Sequence, residues 1–238
     1  MTIEILYPEV ANLYGDLMNM EYLRRSCPEI ELVNTALGEE PRFLREPVDL
    51  VYMGSVTEEG LTLAAESLMP RRDEIAARVD AGQRFLVTGN ALDLFGLDIT
   101  ADNGWSLRGL ALFPTHARYT MMSRYNALYV GKYGDIDIVG FKSQFGHSYA
   151  DGDVTPLFET LRGCGLNEGV MGEGLRRENF MATYVTGPLL ILNPPFAKEL
   201  LADMGVSEPS LAFEDAAMDL YRQRVAQFSD PGTGIVYH

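Results

Sequence analysis

A chain of 238 residues that is 47% hydrophobic can bury a substantial core without a disulfide or metal to support it. A net charge of −15 argues against nucleic acid, whose phosphates demand a basic stripe, and disfavours an anionic membrane surface. The N-terminus lacks a basic segment followed by an apolar one, and no later run approaches bilayer length, so a cytoplasmic protein with no membrane span is expected. Cys27 and Cys164 lie far apart and outside any C-x-x-C spacing, as reduced thiols would; with three histidines, no metal and no other cofactor is expected.

In chain order, Thr2 to Tyr7 reads as a strand and Gly15 to Ser26 as a helix with Leu17, Met20 and Leu23 at helical spacing. Ile30 to Ala36 and Val48 to Gly54 are the next strands. Thr57 to Ala81 is helical, with Leu61, Ala64, Ala65 and Leu68 on one face and Pro70 dividing it. Phe85 to Thr88 is a fourth strand, followed by a short helix, Ala91 to Phe95. From about Trp105 to Phe145 the texture turns β-branched and aromatic, with antiparallel strands expected at Arg118 to Met122, Asn126 to Lys132 and Asp135 to Lys142. Arg162 to Glu178, rich in glycine, reads as a loop. Phe180 to Val185 and Leu189 to Leu192 read as strands. Pro195 to Met204 and Leu211 to Ala226 read as helices, the latter with Phe213, Ala216, Ala217 and Leu220 on one face and Ser210 as its cap. Alternating strands and helices favour a parallel sheet covered by helices, in one domain spanning 1–238.

Two segments carry the functional signal. Phe85-Leu-Val-Thr-Gly-Asn-Ala91 is a strand breaking at small residues into a helix, the setting of a nucleophile elbow, yet no Cys or Ser stands at the turn. Ala182-Thr-Tyr-Val-Thr-Gly-Pro188 resembles the Gly-Thr-Tyr-x-His-Gly-Pro segment of the cobyric acid synthase-like (CobB/CobQ) glutamine amidotransferases, with Thr186 at the histidine position. Leu6-Tyr-Pro-Glu9 and Leu13-Tyr-Gly-Asp-Leu-Met-Asn19 resemble the opening of the GatD group within that family. The resemblance implies an α/β, flavodoxin-like class I glutamine amidotransferase fold: a largely parallel sheet flanked by helices, with an antiparallel extension. It also implies a MurT-like Mur ligase partner, glutamine as ligand and a role in amidating a peptidoglycan precursor.

The reaction of that family needs a thiolate on a strand-to-helix turn, backbone N–H donors for the oxyanion and an imidazole for the protons. The elbow falls at Thr88 or Gly89, and neither register supplies a cysteine; Thr186 cannot act as the base. The catalytic positions are therefore degenerate. Gly54, in Met53-Gly54-Ser55, is a candidate for exposing backbone donors, with a tight strand-to-helix connection as the plainer reading. Arg124 falls near the position of a carboxylate-holding arginine in the family, a task suited to a bidentate guanidinium, and is equally read as a solvated strand residue. In Phe141-Lys-Ser-Gln-Phe-Gly-His-Ser-Tyr149, Gln144 stands where the family has a histidine and His147 follows three positions later.

Three functions follow. A glutaminase-like subunit without cysteine chemistry accounts for the paired losses. An active hydrolase or amidotransferase with a displaced nucleophile would draw on Cys164 or Thr88 and His147. An amino-acid sensor would use the vacated pocket with Arg124 and Gly54. Cys27, His116 and His238 carry no functional expectation; the acidic pairs Glu39-Glu40, Glu58-Glu59 and Asp73-Glu74 read as solvated charge, and Gly172-Glu-Gly174 lacks the context of a nucleotide loop.

Overall fold

The computed structural model describes residues 1–235, so His238 lies outside the described residues. The first half runs β1 (Thr2–Leu6), α1 (Met18–Ser26), β2 (Glu31–Thr35), β3 (Leu50–Met53), α2 (Glu58–Leu68), α3 (Arg72–Asp80), β4 (Phe85–Thr88) and a 3-10 helix at Gly89–Phe95. There follow β5 (Asp98–Ala101), β6 (Ser106–Arg108), β7 (Thr115–Tyr119), β8 (Tyr125–Tyr133), β9 (Ile136–Gln144), β10 (Gly146–Ala150), β11 (Phe158–Arg162), β12 (Gly172–Glu173), β13 (Leu175–Arg177) and β14 (Phe180–Thr183). Three helices close the chain: α4 (Leu189–Leu192), α5 (Pro194–Asp203) and α6 (Glu214–Ser229). Among the described residues no helix is long and apolar enough to cross a membrane.

The central sheet has the order β13-β14-β4-β3-β1-β2, parallel throughout except for β13 against β14. Every residue of β3, β4 and β14 is buried, as expected of parallel strands covered on both faces. Period-two alternation divides them. Val51, Met53, Phe85 and Val87 pack toward α2 and α3, while Leu50, Tyr52 and Leu86 pack toward α1, α4 and α5.

The extension is larger than expected and is built as two further four-stranded sheets, β10-β7-β5-β6 and β12-β11-β8-β9. The long hairpin β8–β9 is antiparallel, as anticipated, but β7 pairs parallel with β5. The stretch from Arg162 to Glu178 is not a loop throughout: it contains β12 and β13. Its glycines allow close backbone approach, since a Cβ on Gly174 would collide with the carbonyl of Ala182 and one on Gly165 with the carbonyls of Val170 and Gly172.

Two elements correct the sequence reading. Leu189–Leu192 is one turn of helix whose ends are satisfied by side chains: the remote Asn19 Oδ1 accepts from Leu190 N–H at 2.8 Å, and the adjoining Asn193 Nδ2 donates to Leu189 O at 2.8 Å. In α6 the inward stripe is the buried Tyr221 and Phe228 with the partly buried Met218 and Val225, packed on β8 and β9, while Phe213 and Leu220 are 75% and 57% exposed. The helix starts later than expected. Phe213 is left-handed (φ 56°), and the Glu214 carboxylate, not Ser210, accepts from Leu211 N–H at 2.9 Å.

A buried ion pair joins the extension to the central sheet. Lys142 on β9 and Glu173 on β12 are both fully buried with Nζ and Oε1 3.4 Å apart; Nζ also donates to Gly165 O at 2.6 Å. Glu173 in turn accepts from Thr183 Oγ1 (2.6 Å) and Tyr184 N–H (2.9 Å). Removing one partner leaves an uncompensated buried charge. Lys142→Met is expected to destabilise the protein by about 3–5 kcal/mol in urea denaturation, with part of the loss recovered in Lys142→Met/Glu173→Gln.

Candidate functional site

The carboxyl ends of β1, β3, β4 and β14 converge on one crevice, at the point where the strand order reverses between β1 and β3. Its scaffold is Asp16, of the Tyr14-Gly-Asp16 segment. Asp16 is fully buried, and its Oδ2 accepts from Ser55 Oγ (2.6 Å), Ser55 N–H (3.0 Å) and Thr88 Oγ1 (2.9 Å), tying the turn after β1 to the ends of β3 and β4. Asn19 extends the tie: its Nδ2 donates to Asp16 O (2.9 Å) and Tyr52 Oη (3.0 Å), while its Oδ1 holds α4. Burial raises the Asp16 pKa against the lowering effect of its Ser55 and Thr88 hydrogen bonds.

A cavity of about 300 Å³ opens above this scaffold. Gly89, Asn90, Ser55, Arg124, Gln144 and Thr186 contribute to its walls, with Tyr14, Tyr119, Phe145 and Tyr184 as aromatic surface. Of the two elbow registers, only Gly89 reaches the cavity. It stands at φ +65°, and a Cβ there would overlap the Ser55 hydroxyl and lie 2.7 Å from Ser55 Cβ. Thr88 shares the parity of Leu86 and therefore points to the Tyr52 side of the sheet, where its Oγ1 lies 3.0 Å from Tyr52 Oη.

Thr186 is buried, with Oγ1 donating to Phe141 O at 3.2 Å, and its backbone bridges Phe141. Gly140 permits this approach, since a Cβ there would lie 2.8 Å from Thr186 O. Arg124 lies in the connection from β7 to β8, not on a strand, with its guanidinium 4.4 Å from the Phe145 ring centroid and no salt bridge among the described residues. Gly54 serves packing: a Cβ there would meet Ala11 O at 2.5 Å. The two N–H groups after it are engaged, Ser55 with Asp16 and Val56 with Asn90 Oδ1 at 3.1 Å.

The displaced candidates lie elsewhere. Cys164 is buried, with Sγ 3.9 Å from Lys142 Nζ, and does not line the cavity. Neither does His147, whose ring packs edge-on against Tyr125 at 5.4 Å and whose pKa is lowered by burial and by Lys142. Gln144 does line it, with Nε2 donating to Gly146 O at 2.6 Å and a buried Oε1 without a partner among the described residues. His116 sits on β7 between Asp98 (2.7 Å) and Asp151 (2.8 Å), whose hydrogen bonds raise its pKa.

Sequence reading missed a carboxylate held behind two of the cavity's tyrosines. Asp93, in the helix after the elbow, is 1% exposed and accepts from Tyr119 Oη (2.7 Å), Ser148 Oγ (2.7 Å) and Tyr184 Oη. An aspartate inside the apolar run Ala91-Leu-Asp-Leu-Phe95 is the signal that was available, because a buried carboxylate requires partners. Burial pushes its pKa up to about 6, against the lowering effect of the Tyr184, Ser148 and Tyr119 hydrogen bonds.

Two outcomes are expected. Because the folded pKa of Asp93 exceeds its ordinary value of 3.8, the folded state holds the extra proton. Its contribution is complete below the ordinary value and is lost as pH rises through about 6. Denaturation at pH 4.5 and 7.5 should show the stability of the wild type relative to Asp93→Asn falling by about 2 kcal/mol over that range. Gly89→Ala, strained in backbone and blocked by Ser55, should cost about 1–3 kcal/mol, and less in a Ser55→Gly background.

No family model matches the chain. The GatD subunit of lipid II isoglutaminyl synthase (glutamine-hydrolyzing) from Staphylococcus aureus (strain N315) is 23% identical over 223 residues, covering 92% of this chain and 90% of that protein. The corresponding subunit from Streptococcus pneumoniae (strain ATCC BAA-255 / R6) is 24% identical over 212 residues, 84% and 79% of the two chains. Among solved structures, PurLQS from Thermotoga maritima superposes with a TM-score of 0.55 at 12% identity, over 85% of this chain and 96% of that one. A glutamine amidotransferase crystal structure gives 0.53 at 15% identity, over 86% and 99%. The chain thus has an α/β class I glutamine amidotransferase-like fold, with mixed parallel and antiparallel sheets flanked by helices, and is distantly related to the GatD and CobB/CobQ proteins.

Proposed function

We propose that the chain, acting as one unit over 1–238, is a glutamine amidotransferase-like subunit that does not hydrolyse glutamine through a cysteine. It works with a MurT-like Mur ligase partner in amidating a peptidoglycan precursor. The observation that carries this reading is the elbow. Gly89 is the left-handed residue between β4 and its helix, it offers the cavity no side chain, and the Ser55 hydroxyl fills the space where one would begin.

Three further features support it. Thr186 supplies no imidazole, the N–H groups of Ser55 and Val56 are already committed, and neither Cys164 nor His147 reaches the cavity. Without nucleophile and proton carrier together, the cysteine mechanism has no route. The partner and the substrate follow from the two relatives, which are subunits of a lipid II isoglutaminyl synthase.

Purified alone and with the product of a neighbouring ligase gene, the protein is expected to form a stable complex and to release no ammonia from glutamine above background. Absence of a complex together with glutaminase activity of the isolated chain would overturn the reading. Restoring the cysteine site requires three changes: Ser55→Gly/Gly89→Cys/Thr186→His should release ammonia where Gly89→Cys/Thr186→His, still blocked by Ser55, does not.

A second reading, an amino-acid sensor, is favoured by one observation: Arg124 brings to the cavity a cation with no salt-bridge partner among the described residues. Calorimetric titration with glutamine tests it. Saturable heat that is lost in Arg124→Ala supports a sensor, and a flat isotherm rejects it for glutamine.

A further inference from the structure

One hydroxyl in the cavity stands in a chemical setting that the non-glutaminase reading does not use. Ser55 lines the cavity, and its Oγ lies 2.6 Å from Asp16 Oδ2. It also occupies the space a side chain would take at the Gly89 elbow, so it is presented to the cavity from the place where an elbow nucleophile would start, although it is carried by the turn after β3. Asp16 is fully buried, and its second oxygen, Oδ1, has no hydrogen-bond partner among the described residues.

We propose that Ser55 is a nucleophile toward activated acyl groups, with Asp16 as the base that takes its proton. The substrate class follows from what the cavity lacks. Among the described residues neither an imidazole nor an ammonium group lines the cavity, so Asp16 alone would have to carry protons for a leaving group. A thiolate, a phenolate or a phosphate leaves without protonation, so thioesters, aryl esters and acyl phosphates are the class that demands least of it.

In the first step the Oγ–C bond forms, the bond from the acyl carbon to the leaving group breaks, the electron pair departs with the leaving group, and the serine proton passes to Asp16. Asp16 then loses that proton to solvent; in the second step it takes a proton from the water that attacks the acyl-serine ester, the C–Oγ bond breaks, the proton is returned to Oγ as Ser55 is restored, and the carboxylic acid is released. Burial favours this role, because a desolvated carboxylate is a stronger base than one in water, and burial is the largest cause of the raised pKa of Asp16.

The inference stands apart from the non-glutaminase reading, since glutamine turnover has no part in its test. The full chain is treated with a small dialkyl fluorophosphate, which a nucleophilic serine attacks with loss of fluoride, and the product is followed by intact mass and peptide mapping. One adduct per chain is expected, on the peptide carrying Ser55. The adduct should be absent from Ser55→Ala, and Asp16→Asn should react at least about 100-fold more slowly. An unlabelled wild type, an adduct mapped to any other residue, or equal labelling of Ser55→Ala overturns it. Because mapping on the wild type locates the adduct by itself, a variant that fails to fold does not remove the test.

Discussion

The geometry of the crevice depends on one buried carboxylate. Asp16 Oδ2 collects three donors from two chain segments, Ser55 N–H and Oγ after β3 and Thr88 Oγ1 at the end of β4. A carboxylate placed in this apolar interior is costly unless hydrogen-bonded, so these contacts must form together or not at all. That cooperativity fixes where β3 and β4 end relative to the turn after β1, and so fixes the direction in which Gly89 faces. Through Asn19 the same network reaches Leu190, on the element that follows Thr186-Gly-Pro188.

A second buried carboxylate, Asp93, does for the extension what Asp16 does for the strand ends. Tyr119 comes from β7, Ser148 from β10 and Tyr184 from just past β14, and all three hydroxyls converge on it. Lys142 and Glu173 add a third tie between β9, β12 and the β14 end. The Asp93 and Lys142–Glu173 clusters thus hold the two accessory sheets to the central one, where apolar contact alone, being non-directional, would not set their registry.

The cleft at the carboxyl ends, the left-handed Gly89 and the turn after β3 meet at one cavity. Ser55 is central to this. In the sequence it is one small residue after a glycine; in the structure its hydroxyl takes the volume that a side chain at Gly89 would need. A side chain at Gly89 is therefore excluded sterically by Ser55.

The sequence by itself determined the parallel layer. β4 begins and ends where its apolar run does, Pro70 separates α2 from α3, and the four buried residues Leu61, Ala64, Ala65 and Leu68 lie on the face that their spacing indicates. It also singled out Gly89, Thr186 and Arg124, which the structure brings to one cavity, since backbone period and residue type are local properties. Tertiary structure alone decided between Thr88 and Gly89, because strand parity acquires meaning only when Tyr52 and Asp16 occupy one face of the sheet. It made Leu189–Leu192 a helix held by Asn19, 171 positions from Leu190 in the chain, and moved the buried stripe of α6 to Tyr221 and Phe228 against β8 and β9. It likewise placed Asp93 behind two of the cavity's tyrosines and Ser55 against Gly89. Each of these rests on contacts between segments remote in sequence, and such contacts leave no periodic trace in the segments that make them.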